Sequence, residues 1–256
     1  MLRRAALLCL AFALTLPLGC GEASAEPPRG TASGASSGAP SGDGGDGAGG
    51  GSPGAAQRDA SVAVPGTGPR VVFLGDSITA GLHLPSDEAF PAVLGRLLAA
   101  EGRPIRVQAA GQSGDTSAGG LRRADWVLDP PPDILVVELG ANDALRVQPI
   151  ENITDNLRQI IRKGKAVGAE VLLLGMRIPT SYGPVYANGF AELYEVLADE
   201  EDVALVPFFM AEAVNTPGNM LSDGLHPSAS GHEALARTVL PHLRELLDAL
   251  PEDAGS

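Results

Sequence analysis

Val71-Val72-Phe73-Leu74-Gly75-Asp76-Ser77 is the stretch that decides the fold. Four successive large apolar residues, two of them β-branched, read as a fully buried strand, apolar on both faces as a parallel sheet requires. The run ends at a glycine followed by two small polar residues. The chain therefore turns sharply and delivers Asp76 and Ser77 to the C-terminal end of the strand, where open α/β sheets bind their ligands.

The same pattern recurs downstream. Ile105 to Ala109, Ile134 to Leu139, Val171 to Leu174 and Ala204 to Val206 are further candidate strands. Between them lie helical stretches. Ser86 to Ala100 has Ser86 as a possible N-cap and Gly102 just past its end. Ile150 to Val167 places Ile153, Leu157, Ile160 and Ile161 at helical spacing, and Gly168 closes it. Phe190 to Leu197 and Ala229 to Leu250 complete the set, the last with an expected bend near Pro241. Strand–helix alternation of this kind predicts a three-layer α/β/α sandwich around a five-stranded parallel sheet, flavodoxin-like in class.

Polar, reactive residues follow these strands. Gly75-Asp76-Ser77 follows the first, Gly111-Gln112-Ser113-Gly114-Asp115 the second and Gly140-Ala141-Asn142-Asp143 the third, while Asp223-Gly224-Leu225-His226-Pro227 precedes the last helix. Acyl transfer needs a nucleophile, a base, a group that orients the base, and donors for the developing oxyanion. Ser77 fits the nucleophile, His226 the base and Asp223 the orienter. The backbone N–H groups of Ser77 and Gly114 and the amide of Asn142 can serve as donors, each contributing about 3 kcal/mol to the transition state. A lone Gly-Asp-Ser is a common turn, and Gly114 and Asn142 taken singly are ordinary loop residues. The inference rests on all four blocks falling at one sheet edge. Asp76 and Asp143 read as supports of their own turns, His83 as a surface residue that could instead face the cleft a few residues past Ser77, His232 and His242 as solvated or packing residues of a helix, and Trp126 as a core residue.

These blocks resemble the signature of the SGNH, or GDSL-type, hydrolase superfamily across about residues 70–248: Phe73-Leu74-Gly75-Asp76-Ser77-Ile78-Thr79, Ser113-Gly114-Asp115-Thr116, Gly140-Ala141-Asn142-Asp143 and Asp223-Gly224-Leu225-His226-Pro227. Ile178-Pro179, Tyr182-Gly183, Phe190 and Val206-Pro207-Phe208-Phe209-Met210 are similar to the bacterial group of acyl-CoA thioesterase I, lysophospholipase L1 and arylesterase. The resemblance implies hydrolysis of acyl esters and thioesters through a Ser acyl-enzyme, in the periplasm, without metal or other cofactor. It also implies that residues 176–184, with Ile178, Pro179 and Tyr182, help shape the acyl pocket. The rival substrate is an O-acetylated carbohydrate or peptidoglycan, favoured by a short polar pocket rather than a long apolar one. A non-catalytic binding lipoprotein is the rival from another class, and lost motif residues would mark it.

The remainder of the chain differs in character. Of its 33 glycines, 14 fall between Gly21 and Gly68. Residues 1–19 read as an export signal: Arg3 and Arg4 form a basic start, and Ala5 to Leu16 an apolar run too short to span a bilayer comfortably. Gly19-Cys20 resembles a lipobox, although Pro17 stands where a Leu is expected; cleavage near Ala23 or Ala25 in a plain secretory signal is the other reading. Residues 20–68 have almost no large apolar side chains and read as a disordered linker with a reach of roughly 40 Å. The hydrolase domain is assigned to 69–250 and a tail to 251–256. The only other cysteine is Cys9, so no disulfide or zinc framework is expected. The net charge of −13 argues against nucleic acid as a partner. A small acyl ester is the expected partner, with a membrane anchor through Cys20.

Overall fold

The computed structural model describes residues 62–64 and 67–251. The signal segment, Cys20 and most of the linker lie outside the described residues.

Six strands form one sheet: β1 (Val62–Val64), β2 (Arg70–Gly75), β3 (Arg106–Gly111), β4 (Ile134–Glu138), β5 (Glu170–Leu174) and β6 (Ala204–Val206), in the order β1-β3-β2-β4-β5-β6. The five strands β2 to β6 are mutually parallel, as expected. β1 pairs antiparallel with β3, Val62 opposite Ala109 and Val64 opposite Val107. This corrects the linker boundary. Val62-Ala63-Val64 is a short β-prone run whose Gly/Pro-rich neighbours hide it in composition, and the edge of β3 gives it a partner.

Eight α-helices accompany the sheet among the described residues: α1 (Ser77–Ala80), α2 (Phe90–Ala100), α3 (Ser117–Val127), α4 (Ala141–Leu145), α5 (Ile150–Ala166), α6 (Pro184–Glu201), α7 (Ala211–Asn215) and α8 (Ala229–Ala249). α2 packs on α8, and α3 packs on α5, which packs on α6. The strands are as apolar as predicted: Val71 to Leu74 and Ile134 to Val137 are fully buried.

Several elements differ from expectation. Ser86 caps nothing: residues 81–89 form turns, and α2 begins at Phe90 with Pro91 in its first turn, where a fixed φ and a missing N–H cost nothing. The Phe90 N–H is taken instead by Nδ1 of buried His232 on α8, at 3.1 Å. α3, which carries Gly119-Gly120 in its first turn, was not among the expected helices. Both glycines are there for close approach: a Cβ on Gly120 would lie 2.2 Å from Leu139 Cδ1, and one on Gly119 1.6 Å from Asp115 Oδ1. Trp126, expected in the core, is 70% exposed near the end of α3. No helix among the described residues is long and apolar enough to cross a membrane.

The strand order positions the site. After β2 the chain moves outward to β3, then crosses back to β4 on the other side of β2. The loops that follow β3, β2 and β4 are therefore neighbours, and the crevice where the direction reverses lies between β2 and β4.

Candidate active site

Ser77 sits at the first position of α1, immediately after β2. Asp76 caps that helix, its Oδ1 accepting the Ile78 N–H at 3.0 Å. The close packing beneath this turn is set by Gly111 at the end of β3: a Cβ there would come within 2.2 Å of the Ala80 nitrogen and 2.8 Å of the Asp76 carbonyl.

His226 and Asp223 arrive from a loop before α8. A bridge between Met220 and Pro227 and the bond from Leu221 N–H to the His226 carbonyl, 2.8 Å, close it, and Gly224 turns it at φ +68°. Across this loop Ser77 Oγ lies 3.0 Å from His226 Nε2, and His226 Nδ1 lies 2.7 Å from Asp223 Oδ2. Asp223 Oδ1 also accepts the N–H groups of Leu225 and His226, at 2.9 and 3.0 Å. These bonds, the His226 N–H first, hold the Asp223 carboxyl well below the usual carboxylate range. With Asp223 ionised, the His226 proton resides on Nδ1, and Nε2 presents a lone pair to the Ser77 hydroxyl.

Asn142 lies in the first turn of α4, after β4, and its Nδ2 donates to Asp76 Oδ2 at 2.9 Å. Gly114 lies in the loop after β3 at φ +79°. Two arginines that sequence reasoning missed fasten this edge. Arg123 donates to Asp115 Oδ2 (2.7 Å), the Ala110 carbonyl (2.7 Å) and the Gly75 carbonyl (2.8 Å), tying the ends of β2 and β3 to the Gly114 loop. Arg146 donates to the Asn142 carbonyl at 3.1 Å and the Gly114 carbonyl at 3.4 Å. Only their place after motif residues, Asp115 and Asn142, could have drawn attention to them. Asp143 supports its loop as expected, accepting from the Ser117 N–H (2.7 Å) and hydroxyl (2.8 Å).

His83, read as a surface residue that could also face the cleft, is exposed and stands edge-on to His226 with ring centroids 6.1 Å apart, holding a left-handed φ of 71°. Glu138, not singled out from sequence, is fully buried beside Asp76. Burial raises both carboxyls, Asp76 to about 6 and Glu138 well above the usual range, and the Asp76 charge pushes Glu138 further the same way. Tyr194, buried next to this pair, donates to the Leu139 carbonyl at 3.0 Å.

A cavity of about 390 Å³ opens beside Ser77 and His226, a volume suited to a small organic ligand. Asp76, Asn142, Ala141 and Leu145 line one part; Met176, Ile178, Pro179, Met210, Val214, Met220 and Leu225 give the rest a mostly apolar wall, which Arg177 interrupts. Ile178 and Pro179 are thus where the resemblance implied. Tyr182 is not: it sits on a short 3-10 turn, 38% exposed, and is not among the lining residues. A more polar depression of about 430 Å³ between α3 and α5 is lined by Thr116, Asp143 and Asn156, among others, and holds no candidate nucleophile–base pair.

The model of the GDSL-like lipase/acylhydrolase family matches residues 73–234. Esterase TesA of Pseudomonas aeruginosa is 42% identical over 178 residues, covering 69% of this chain and 89% of the relative. Thioesterase 1/protease 1/lysophospholipase L1 of Escherichia coli is 37% identical over 179 residues, covering 70% and 85%. A crystal structure of TesA superposes with a TM-score of 0.67 at 41% identity, covering 69% of this chain and 99% of that one. The chain belongs to the GDSL-like lipase/acylhydrolase family and is a hydrolase with the SGNH fold.

Proposed function

We propose that the chain hydrolyses acyl esters and thioesters with Ser77 as nucleophile, His226 as general base and acid, and Asp223 as the group that orients His226. The observation that carries this reading is the relay of 3.0 and 2.7 Å from Ser77 Oγ through His226 to Asp223, opening onto an apolar-walled cavity. Nε2 takes the hydroxyl proton as Oγ attacks the acyl carbon, and Asp223 stabilises the imidazolium that forms. The N–H groups of Ser77 and Gly114 and the Asn142 amide receive the developing oxyanion. His226 then returns the proton to the departing alkoxide or thiolate, leaving an acyl-Ser77 ester. A water activated by the same imidazole releases the acid and restores Ser77.

The apolar wall favours an acyl chain over an O-acetyl sugar, because sugar hydroxyls facing Met176, Met210 and Met220 would lose their hydrogen bonds to water. The names of the relatives, esterase and thioesterase, support the same substrate class. Activity of purified residues 62–256 against p-nitrophenyl butyrate, p-nitrophenyl octanoate, acyl-CoA and acetylated xylose tests it. Hydrolysis of the acetylated sugar alone overturns the acyl-chain reading.

Export and anchoring belong to the same proposal. Arg3, Arg4, the apolar run to Leu16 and Gly19-Cys20 support a lipid anchor on Cys20, with the following Gly-rich stretch as a tether. Cys20→Ser is expected to move the protein from the membrane to the soluble fraction; an unchanged distribution contradicts the anchor.

A further inference from the structure

At the end of β4, opposite Gly75 in the parallel register, Glu138 turns its side chain beneath the Ser77 turn. Its carboxyl is treated asymmetrically. Oε2 accepts from the Thr79 hydroxyl (2.8 Å), the Thr79 N–H (3.2 Å) and the Asp76 N–H (3.3 Å). Oε1 is buried with no hydrogen-bond partner among the described residues. A carboxylate shares its charge between both oxygens, and leaving one of them dry and unpartnered is costly. A neutral acid fits better: its carbonyl oxygen takes the donors, and the other oxygen holds a proton that the neighbouring Asp76 carboxylate can accept as a hydrogen bond. Next to it, Asp76 is 1% exposed and well supplied, with Ile78 N–H on one oxygen and the Asn142 amide on the other. Two buried carboxyls side by side cannot both ionise cheaply, and it is Glu138 that has one oxygen without a donor.

We propose that Glu138 is a positioning residue that works as a neutral acid, clamping the backbone of the Ser77 turn through Oε2 and steadying Asp76, which in turn aims the Asn142 amide at the oxyanion. Glu138 does not line the cavity and has no contact with substrate in this account. It acts on the geometry of the nucleophile turn and of one oxyanion donor, so its loss reduces turnover more than substrate binding. A charged Glu138 would place a second negative charge beneath the oxyanion; the neutral form leaves only that of Asp76. The titratable groups around it are Asp76 on the nucleophile turn and Tyr194 from α6, with Asp143 acting on Tyr194 and His226 on Asp76.

This inference rests on Ser77 being the nucleophile, and the experiment separates the two. The full chain is assayed on p-nitrophenyl butyrate as wild type, Ser77→Ala, Glu138→Gln, Glu138→Leu, Asn142→Ala and the Glu138→Leu/Asn142→Ala pair. Gln reproduces the acceptor oxygen and replaces the acid O–H with an N–H donor. Glu138→Gln is expected to keep kcat within about threefold of wild type with a superimposable pH–kcat profile. Glu138→Leu is expected to lose about 10- to 100-fold in kcat, the range for a group that orients a catalytic ligand, with KM within about twofold. That loss is expected to shrink when Asn142 is already Ala, because the two act on one donor. Loss of kcat in Glu138→Gln as large as in Glu138→Leu overturns the neutral-acid role. Wild-type kcat in Glu138→Leu, or a loss undiminished beside Asn142→Ala, overturns the positioning role. Should Glu138→Leu fail to fold by circular dichroism, Glu138→Gln decides alone, a fall of more than about tenfold being the contradicting result. Activity in Ser77→Ala, by contrast, would overturn the nucleophile assignment itself.

Discussion

His226 Nε2 stands 3.0 Å from Ser77 Oγ, although 149 positions of sequence separate them. Two independent constructions meet at that distance. Ser77 is fixed by the end of the central strand β2, and His226 by a loop closed on itself through Met220 and Pro227. The relay can therefore be weakened from either side, and each perturbation has its own signature.

Asp223 enters the relay through three bonds from Leu225 and His226. Asp223→Asn keeps the shape but lets His226 adopt the wrong tautomer, so kcat is expected to fall by about 10²- to 10⁴-fold with KM nearly constant. Because the bonds depress the Asp223 carboxyl, its stabilisation of the loop is complete above the ordinary carboxylate pKa. It is lost only as pH falls through the lower, folded-state value. Steady-state kinetics on both proteins checks the fall in kcat and the constancy of KM.

His232 predicts a different pH dependence, in stability. Burial lowers its pKa to about 4 from an ordinary 6.5, and its Nδ1 must stay unprotonated to accept the Phe90 N–H. Between those two values the unfolded chain binds a proton that the folded chain refuses, so stability falls as pH drops from 6.5 to 4. The midpoint of thermal unfolding is expected to drop by about 5 °C or more over that window. A His232→Gln variant, which keeps an acceptor without titrating, is expected to show a flatter curve.

Gly111→Ala tests the packing beneath the nucleophile. The added methyl meets backbone, Ala80 N and Asp76 O, rather than a side chain that could move aside. We expect a loss of about 2–4 kcal/mol of stability in urea unfolding, together with a fall in kcat, since the Ser77 turn must shift.

The cavity wall sets chain length. Val214 lines the cavity and is half-exposed. Val214→Trp is expected to narrow the apolar part and reduce kcat/KM for p-nitrophenyl octanoate by at least about tenfold relative to p-nitrophenyl acetate. Equal effects on both esters would place the acyl chain elsewhere.

Much of this site was legible in sequence because the buried strands are so apolar. Val71 to Leu74 and Ile134 to Val137 could only be core, so the residues after them had to lie at one edge. Ser77 and Asn142 follow from that, whereas Asp223 and His226 were read from their block before the last helix. What was hidden depends on contacts between distant segments. Val62–Val64 becomes a strand only because β3 offers an edge, and Gly119 and Gly120 belong in α3 because they let Asp115 and Leu139 approach closely. Trp126 was misplaced because its residue type, not its helix face, guided the reading. The one signal for His83 was its place a few residues past Ser77; its position against His226 follows from the turns after Gly81. Tyr182 shares the loop of Ile178 and Pro179 yet leaves the cavity, because the 3-10 turn at Thr180–Tyr182 carries it away.

The most direct test of the central claim is chemical trapping. The protein is treated with an activated alkylphosphonate ester, digested, and the modified peptide identified by mass spectrometry, with p-nitrophenyl butyrate turnover followed in parallel. The account predicts one adduct per chain, on Ser77, appearing in step with loss of activity, and neither adduct nor activity in Ser77→Ala. An adduct on another residue that tracks inactivation, or undiminished turnover in Ser77→Ala, would contradict it.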